Sequence, residues 1–402
     1  MERYLLRDDI WWVGAIDWDV RDFHGYETPR GTTYNSYLIL DDKVALIDGC
    51  RDGFGPEMLA RVMGCCSGRP VDYVVINHIE PDHSGALPFL LERLRPERVF
   101  CSKRAKEALG FLFGVPWVES WDLQVVGTGD ELSLGHNTLQ FIEAPMLHWP
   151  DSMFTYVKEA KTLLPNDAFG QHLATSRRFA DEVDQGDLIE EASKYYANIL
   201  MPFGSPIEKM LTRIGEMGLE IETIGPSHGV IWRRPQDIAM ILESYRRWSH
   251  FEAPERVALF YDTMWHATEK MTMAIEDGVA QEGVECGVYR LTANPSSELA
   301  RQVLQSRAFL VGSPTLNNAM FPTVGAFLTY IKGLRPKNRI AGAYGSFGWG
   351  GGAVKEVDTE LRALGLDVLD PLEVRYMPGP DDLEACHELG RHIARRVKGE
   401  QD

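Results

Sequence analysis

The sequence predicts an α/β protein of two domains, and three observations lead to that prediction. The chain has 402 residues, which is too long for one ordinary hydrophobic core and suits two. An apolar run of strand length, residues 71–77, leads directly into a segment rich in potential metal ligands. After residue 254, apolar runs of strand length alternate with helical stretches. We therefore expect domains spanning residues 1–250 and 254–402.

The ligand-rich segment carries four potential metal ligands in six positions: His78, Glu80, Asp82 and His83. The run before it has the length and composition of a buried strand. Pro81 lies among the ligands, and we expect it to keep the segment in a loop, because proline disrupts a helix. A loop held between a strand and a helix can direct several side chains at one point. The alternative interpretation is a polar loop with incidental charges.

Three further apolar runs in the first domain end at potential ligands. They lead to His148, Asp167 and His228, each of which lies near proline, asparagine or glycine. Each histidine alone would more often be an ordinary polar residue. Their repeated position at strand ends instead favours a metal centre built on a sheet sandwich that helices cover.

The second domain alternates five predicted strands with helices, which indicates a doubly wound parallel sheet. Such sheets bind ligands beyond the carboxyl ends of their strands. The loop after the first strand, Thr263–Thr268, offers hydroxyls and backbone N–H groups at a helix N-terminus, which suit a phosphate. No G-x-G-x-x-G sequence follows that strand, which argues against a dinucleotide.

Two more loops are expected at the same edge of this sheet. One follows the third strand, and the other is a glycine-rich loop after the fourth, where Trp349 offers a face for a flat ring. The alternative for Trp349 is a surface aromatic on a flexible loop. The predicted ligand-binding residues of the three loops are Thr263, Met264, Trp265, His266, Ala267, Thr268, Pro314, Thr315, Asn317, Ser346, Phe347, Gly348, Trp349 and Gly350.

Composition excludes several classes of function. The formal net charge of −18 argues against a nucleic-acid partner, whose phosphates would be repelled. No apolar run approaches the roughly 18 residues that a transmembrane helix needs, and the N-terminus lacks a signal-peptide pattern, so we expect a cytoplasmic protein with no membrane partner. The six cysteines form no C-x-x-C pair, which argues against a rubredoxin-type iron site and favours buried, reduced thiols.

The ligand pattern resembles that of a known family. H-x-[EH]-x-D-H followed by His, Asp and His is similar to the two-metal site of the metallo-β-lactamase fold, and Glu80 at the second ligand position resembles the flavodiiron proteins. Residues 24–26, 31–35, 147–152, 166–170 and 195–198 are also similar to that family, and the second domain resembles flavodoxin. The resemblance implies a metallo-β-lactamase-like αββα sandwich with two non-heme iron ions, followed by a flavodoxin-like doubly wound parallel sheet with FMN.

Ligand chemistry favours iron over zinc. Glu80, Asp82 and Asp167 would supply three carboxylates, which are hard donors that suit iron or manganese. The zinc hydrolases of this fold carry histidine where Glu80 stands, as the family resemblance implies. Asp167 is the expected bridge, because one carboxylate can offer an oxygen to each metal. His83 is the least certain ligand, since adjacent loop residues need not face the same metal.

The resemblance implies an oxidoreductase that reduces O2 to water, NO to nitrous oxide, or both. Electrons would reach FMN from an external donor such as rubredoxin or a reduced deazaflavin. The family also implies a head-to-tail homodimer, or a dimer of dimers, that places FMN of one subunit beside the irons of the other. His24, Tyr26 and Tyr195 or Tyr196 are candidates for lining the oxygen pocket, and ordinary core packing is an equally supported interpretation.

Two other functions remain open at this point. One is a zinc-dependent hydrolase of the metallo-β-lactamase fold with the flavodoxin domain as a regulatory attachment. The other is an electron carrier whose metal site is only structural. Metal analysis and an absorbance spectrum of the purified protein would separate the three.

Overall fold

The computed structural model describes residues 4–400, which form two compact units. Of these residues, 4–23, 28–195 and 205–246 belong to the first unit, and 24–27, 196–204 and 247–400 to the second. The predicted domains were continuous in sequence, whereas contacts group two short segments of the N-terminal half with the second unit. The ranges 1–250 and 254–402 therefore stay a prediction.

The N-terminal half is rich in short strands, as its alternating turn signals indicate. In chain order they are β1 (Tyr4–Arg7), β2 (Ile10–Trp12), β3 (Ala15–Asp17), β4 (Asp22–Phe23), β5 (Tyr26–Glu27), β6 (Thr32–Tyr34), β7 (Tyr37–Leu40), β8 (Val44–Ile47), β9 (Tyr73–Ile76), β10 (Arg98–Cys101), β11 (Leu123–Val125), β12 (Glu131–Ser133), β13 (Thr138–Glu143), β14 (Met153–Val157), β15 (Thr162–Asn166) and β16 (Thr223–Pro226). Seven form one sheet in the order β1-β2-β7-β8-β9-β10-β11, and β12 to β16 form a second sheet in sequence order.

Helices follow or connect these strands. They are α1 (Gly55–Cys66), α2 (Pro81–Ser84), α3 (Leu87–Leu94), α4 (Lys103–Phe113), α5 (Val115–Glu119), α6 (Gln185–Tyr195), α7 (Gly204–Glu216) and α8 (Pro235–Ser249), with a π-helical turn at Tyr196–Leu200 and 3-10 turns at Ala180–Glu182 and Met201–Phe203. Among residues 4–400, no helix combines the length and the apolarity that crossing a bilayer requires.

The strand β9 is apolar at successive positions because both of its faces are buried. Val74 and Ile76 pack with the apolar faces of α1 and α3, whereas Val75 packs between the two sheets, in the same core as Phe141 of β13. Successive side chains of a strand point to opposite faces, so a continuous apolar run marks a strand covered on both sides. The outer face of the second sheet is buried too, as at Ile142. The predicted metallo-β-lactamase-like sandwich is confirmed.

One local prediction was wrong. Pro81 does not keep the ligand segment in a loop; it begins the one-turn helix α2, so that Asp82 and His83 lie in a helical turn. Proline suits the first position of a helix, because its missing N–H is not needed there and its φ angle is already helical. His78 and Glu80 precede this turn.

The second unit contains one parallel sheet, as predicted. Its strands are β17 (Arg256–Tyr261), β18 (Glu285–Arg290), β19 (Ala308–Pro314), β20 (Ile340–Phe347), β21 (Asp367–Val368) and β22 (Leu372–Arg375), and its helices are α9 (Ala267–Gln281), α10 (Ser296–Leu304), α11 (Pro322–Leu334), α12 (Ala353–Ala363) and α13 (Pro380–Lys398), with a 3-10 turn at Leu291–Ala293. The strand order is β18-β17-β19-β20-β21. β18 and β19 therefore lie on opposite sides of β17, and the order in which strands are added reverses there.

A sixth strand, β22, was not predicted. It pairs with the end of β20, whereas β21 pairs with the beginning of β20. The two are therefore halves of one edge strand, interrupted near Pro371, whose missing N–H cannot join a ladder. The sequence predicts the first half, β21, as the fifth strand, whereas the polar and short second half, β22, does not stand out.

Helices α9 and α13 cross closely on one face of this sheet, and two glycines allow it. A Cβ on Gly278 would lie 2.1 Å from the carbonyl oxygen of His387, and one on Gly390 would lie 2.1 Å from the carbonyl oxygen of Ile275. Neither contact leaves room for a methyl group. On the other face, the ring of Phe260 lies 4.7 Å from that of Phe327 in α11, so helices cover both faces.

Replacing Gly390 by alanine is expected to destabilise the second unit by about 2 kcal/mol, because the new methyl group would overlap backbone of α9. Gly333, near the end of α11, is the matched control, since a Cβ there meets no atom within 4 Å. Gly333→Ala should stabilise by up to about 1 kcal/mol through helix propensity. Urea unfolding of both variants measures the difference, and equal effects would contradict the close crossing.

Candidate functional site

The predicted metal ligands of the first unit follow strand ends in both sheets. His78 comes after β9, Asp167 directly follows β15, and His228 comes after β16, while His148 lies in the loop from β13 to β14. β8 and β9 run parallel, as do β15 and β16, so the carboxyl ends within each pair lie at one edge. The site is therefore built where strands from the two sheets end.

Four of these side chains form a first ligand cluster. Nε2 of His148 lies 3.0 Å from Oε2 of Glu80 and 3.2 Å from Oδ2 of Asp167. Nε2 of His78 lies 3.5 Å from each of the same two oxygens. Two imidazoles and two carboxylates thus converge on one point, which is a donor set that suits a divalent metal ion.

The other ligands form a second cluster beside the first. Nε2 of His83 lies 3.1 Å from Oδ2 of Asp82 and 3.0 Å from Oδ1 of Asp167. Nε2 of His228 lies 3.1 Å and 3.4 Å from the same two atoms. His83, the least certain ligand in the sequence, therefore takes part in the cluster in the same way as His228.

Asp167 is shared by the two clusters. Its Oδ2 faces His78 and His148, and its Oδ1 faces His83 and His228. The side chain is fully buried, and burial alone would raise its pKa. The imidazoles of His83, His148 and His228 outweigh that effect and hold the pKa of Asp167 well below its usual value. One carboxylate with an oxygen toward each donor set is the geometry of a two-metal bridge.

The carboxylates in turn raise the pKa of a ligand histidine. Burial disfavours the protonated imidazole of His78, but the carboxylates of Asp151 and Glu80 outweigh it and hold the pKa of His78 well above its usual value. Nε2 of His78 is buried and lacks a well-aligned hydrogen-bond partner among residues 4–400. Strong stabilisation of positive charge, together with a buried nitrogen of this kind, fits a site that holds metal cations.

Asp151 orients His78, a role that the sequence did not reveal. Nδ1 of His78 donates to Oδ2 of Asp151 over 2.8 Å, and the backbone N–H of Ile79 donates to the same oxygen over 3.0 Å. In the neutral ring, a proton on Nδ1 leaves Nε2 as the nitrogen that faces the first cluster and can bind a metal. Carboxylates that fix a ligand histidine in this way are typical second partners of metal sites.

His228 and Asp167 are held in a comparable way. Nδ1 of His228 donates to the backbone carbonyl of Thr33 over 2.6 Å, which leaves Nε2 directed at the second cluster. The hydroxyl of Ser227 donates to Oδ1 of Asp167 over 2.8 Å. Both partners are buried, so the ligand orientations are set before any metal binds.

Asp48 links the two sheets below the site. It follows β8 and accepts from the backbone N–H of Asn77 over 2.7 Å, from the amide of Asn77 over 3.1 Å, and from the amide of Asn166 over 3.2 Å. Asn77 precedes His78, and Asn166 precedes Asp167. One buried carboxylate therefore fixes the chain just before a ligand in each sheet. The sequence signal that could have identified Asp48 is its position directly after strand β8.

The candidate pocket residues have different surroundings. The ring of Tyr195 lies 6.0 Å from that of His228 and 5.0 Å from that of His172, which the sequence analysis missed. Tyr196 instead packs within the second unit against Trp248, at 5.1 Å. His24 has a left-handed backbone with φ of 55°, and Tyr26 is buried; both belong to the second unit. Their roles stay predictions.

The loop after β17 offers buried hydroxyl groups. Oγ1 of Thr263 is buried and has no hydrogen-bond partner among residues 4–400. Thr268 lies in the first turn of α9, where its Oγ1 is 3.3 Å from Oγ of Ser346 at the end of β20. His266 precedes α9 with a left-handed backbone, φ of 64°. An unsatisfied buried hydroxyl beside a helix N-terminus fits a phosphate.

The other predicted loop residues lie at the same edge. Pro314 ends β19 and Phe347 ends β20, and the backbone N–H of Thr315 donates to the carbonyl of Ser346 over 2.8 Å. Asn317 has a left-handed backbone. Three large apolar side chains of these loops are exposed: Met264 by 37%, Trp265 by 79% and Trp349 by 91%. Exposed aromatics around a phosphate-sized site suit a ligand with a large flat ring.

Comparisons with known proteins identify the families of the two parts of the chain. Residues 32–229 match the model of the "ODP family beta lactamase" and residues 259–390 match that of flavodoxin. A "Nitric oxide reductase" from Moorella thermoacetica is 46% identical over 396 residues, covering 98% of each chain. An "Anaerobic nitric oxide reductase flavorubredoxin" from Pectobacterium atrosepticum is 41% identical and covers 97% of this chain and 77% of its own.

Solved structures give the same result. A rubredoxin oxygen:oxidoreductase from Desulfovibrio gigas matches with a TM-score of 0.95 and 38% identity, covering 99% of each chain. The flavodiiron protein from Giardia intestinalis matches with a TM-score of 0.95 and 36% identity, covering 99% of this chain and 97% of its own. Together with the paired ligand clusters and the three loops, these relatives show that the chain belongs to the flavodiiron family of oxidoreductases.

Proposed function

We propose that this protein reduces nitric oxide, dioxygen or both at a two-iron centre, with electrons supplied through FMN. The observation that carries the proposal is Asp167, which presents one carboxylate oxygen to each of two ligand clusters. Membership of an oxidoreductase family supports this function over the hydrolase and the electron carrier that the sequence left open.

The names of the relatives support two candidate substrates, nitric oxide and dioxygen. The Moorella thermoacetica relative is named for nitric oxide, and the Desulfovibrio gigas structure is named for oxygen. The ligand set is compatible with either diatomic molecule. We therefore propose nitric oxide, dioxygen or both as substrates, with nitrous oxide and water as the respective products.

The two clusters divide the ligands between two metal ions. His78, Glu80 and His148 would hold one iron, and Asp82, His83 and His228 would hold the other, with Asp167 between them. When bound, the irons supply the substrate-binding position and the reducing electrons, and FMN supplies electrons to them. The chain's own contribution is to exclude water and to fix each nitrogen and oxygen in place, as Asp151 and the carbonyl of Thr33 do.

The second unit would hold FMN through the three loops. Thr263 and Thr268 would donate to the phosphate, with the N-terminus of α9 adding favourable backbone N–H groups. Trp265 and Trp349 would shield the ring from water. The threonines would thus anchor the phosphate, and the tryptophans would control the surroundings of the flavin ring.

Protons for the reaction would come from side chains of the expected oxygen pocket. His24, Tyr26 and Tyr195 remain the proposed donors, and the proximity of Tyr195 to His228 supports that role for its hydroxyl group. His172 is added as a candidate, because its Nδ1 lies 2.8 Å from Oγ1 of Thr32 and its ring lies 5.0 Å from that of His228.

The cellular setting is also proposed. The names of the Desulfovibrio gigas structure and the flavorubredoxin relative support rubredoxin as a donor, and a reduced deazaflavin is the other candidate. We further propose a cytoplasmic location and a head-to-tail homodimer, which would bring each FMN near irons of the second subunit. Absorbance spectra during reduction by rubredoxin, and sedimentation of the holoenzyme, test these proposals.

Replacing Glu80 by histidine is expected to lower the ratio of iron to zinc, because a hard carboxylate becomes a nitrogen donor. The wild-type protein, made with both metals available, should contain two irons and one FMN per chain. Glu107→His, on the exposed part of α4, is the control for an added imidazole. Elemental analysis measures the ratio. Full iron content in Glu80→His, or stoichiometric zinc in the wild type, would contradict the hard-donor argument.

Replacing Asp151 by asparagine is expected to weaken metal retention about 10- to 100-fold. The amide oxygen can take the place of Oδ2 and still accept from both His78 and Ile79, but the negative charge that strengthens the bond to His78 is lost. The measurement is iron per chain after dialysis against increasing chelator concentrations. Asp122→Asn, an exposed carboxylate, is the control. Unchanged iron retention in Asp151→Asn would show that the charge of this carboxylate does not help His78 to hold the metal.

Replacing both Thr263 and Thr268 by alanine is expected to release FMN, because two hydroxyl donors to a dianion are lost. Trp349→Ala should instead keep at least part of the FMN while changing the flavin potential, since the ring's cover is removed. Flavin and iron counts on both variants make the comparison, and both should keep their iron. Wild-type FMN affinity in the threonine variant, or loss of iron in Trp349→Ala, would refute these loop assignments.

A further inference from the structure

Tyr376 adopts a backbone conformation that its residue type disfavours. It directly follows the unpredicted strand β22 and has a φ of 60°, in the left-handed region. Glycine or asparagine fills such positions more easily, and other residues pay roughly 1 kcal/mol or more. The side chain is 56% exposed, so burial of the ring in the core does not explain the choice. A strained residue of this kind points to a local role.

The turn at Tyr376 is joined to the glycine-rich loop through backbone. β22 runs parallel to β20 with Arg375 opposite Phe347. The backbone N–H of Tyr376 donates to the carbonyl of Phe347 over 2.6 Å, and Nε of Arg375 donates to the carbonyl of Gly348 over 3.2 Å. The end of β22 therefore fixes the first residues of the loop.

The ring of Tyr376 covers the same backbone. A Cβ built on Gly348 would lie 3.3 Å from Cε1 of Tyr376, so the ring lies against the loop directly before Trp349. The guanidinium carbon of Arg375 lies 5.5 Å from the ring centre, within the range of a cation–π interaction. The left-handed turn is what brings the ring back over the loop.

The far end of the loop is held by different residues. A Cβ on Gly352 would lie 2.2 Å from the carbonyl oxygen of Asn318, and one on Gly350 would lie 3.0 Å from Oδ1 of the same residue. Asn318 thus closes the loop on the side of Gly350 and Gly352. Trp349, which lies between the two contacts, depends on both for the position of its backbone.

We propose that Tyr376 is a positioning residue for the flavin: its ring fixes the backbone of Gly348 and thereby the position from which Trp349 projects. The inference rests on the proposed FMN site and adds a fourth segment, after β22, to the three loops. The ring contact with Gly348 involves no hydroxyl group, so phenylalanine should replace tyrosine without loss.

The test compares Tyr376→Gly with Tyr376→Phe in the holoenzyme. Glycine removes the ring, keeps the backbone N–H and relieves the left-handed strain, so the variant should unfold at the same urea concentration as the wild type or a higher one. Its FMN dissociation constant should nevertheless rise about tenfold, and the midpoint potential of bound FMN should shift. Tyr376→Phe should match the wild type in both. Fluorescence titration and spectroelectrochemistry give the two readouts.

A double-mutant cycle locates the effect. Gly348→Ala should weaken FMN binding in the wild type, because the added methyl group displaces the Tyr376 ring, and should cost several-fold less in the Tyr376→Gly background. Independent effects would overturn the ring contact as the cause. Wild-type affinity and potential in Tyr376→Gly would overturn this inference alone. A wild-type protein that binds no FMN would overturn the proposed function, and this inference with it.

Discussion

Burial of the Asp167 carboxylate is the constraint on which the metal site depends. A charge removed from water is costly unless opposite charges and hydrogen-bond donors surround it. Four imidazoles and the Ser227 hydroxyl meet this requirement, and they arrive from a helical turn and from segments that follow several strands. The same need makes the site receptive to cations, because metal ions can replace the protons that the buried histidines would otherwise carry.

In both units the candidate site lies where strands end, although the sheets of the two units differ. In the first, parallel pairs in two facing sheets end beside each other, and Asp48 ties the sheets together at those ends. In the second, one parallel sheet ends in loops that carry hydroxyls and aromatics. Strand interiors serve packing in each case, so the residues after the strands are free to serve the cofactors.

Sequence predicted most of the architecture, because apolar periodicity and ligand residue types are local signals. It also indicated the seven candidate ligands that the structure brings together in two clusters, because four of them crowd into six positions and the other three follow further strands. The prediction failed where the local structure or the role of a residue depends on its position or on contacts with residues distant in the sequence. Pro81 predicts a loop because proline disrupts helix interiors, but at the first position of a helix it is favourable. Asp151 and Tyr376 carry no local pattern, and β22 was hidden by the interruption of its edge strand.

The double burial of β9 limits how the length of this chain can vary. A one-residue insertion before Val74 would exchange the strand's two faces and carry His78 about 3.3 Å along the sheet. Exchanges between valine and isoleucine preserve both the packing of β9 and the position of His78. Substitution is therefore tolerated where a change of length is not. Insertions and deletions in related chains should therefore accumulate in exposed turns such as residues 127–130, rather than between the first sheet and its metal ligands.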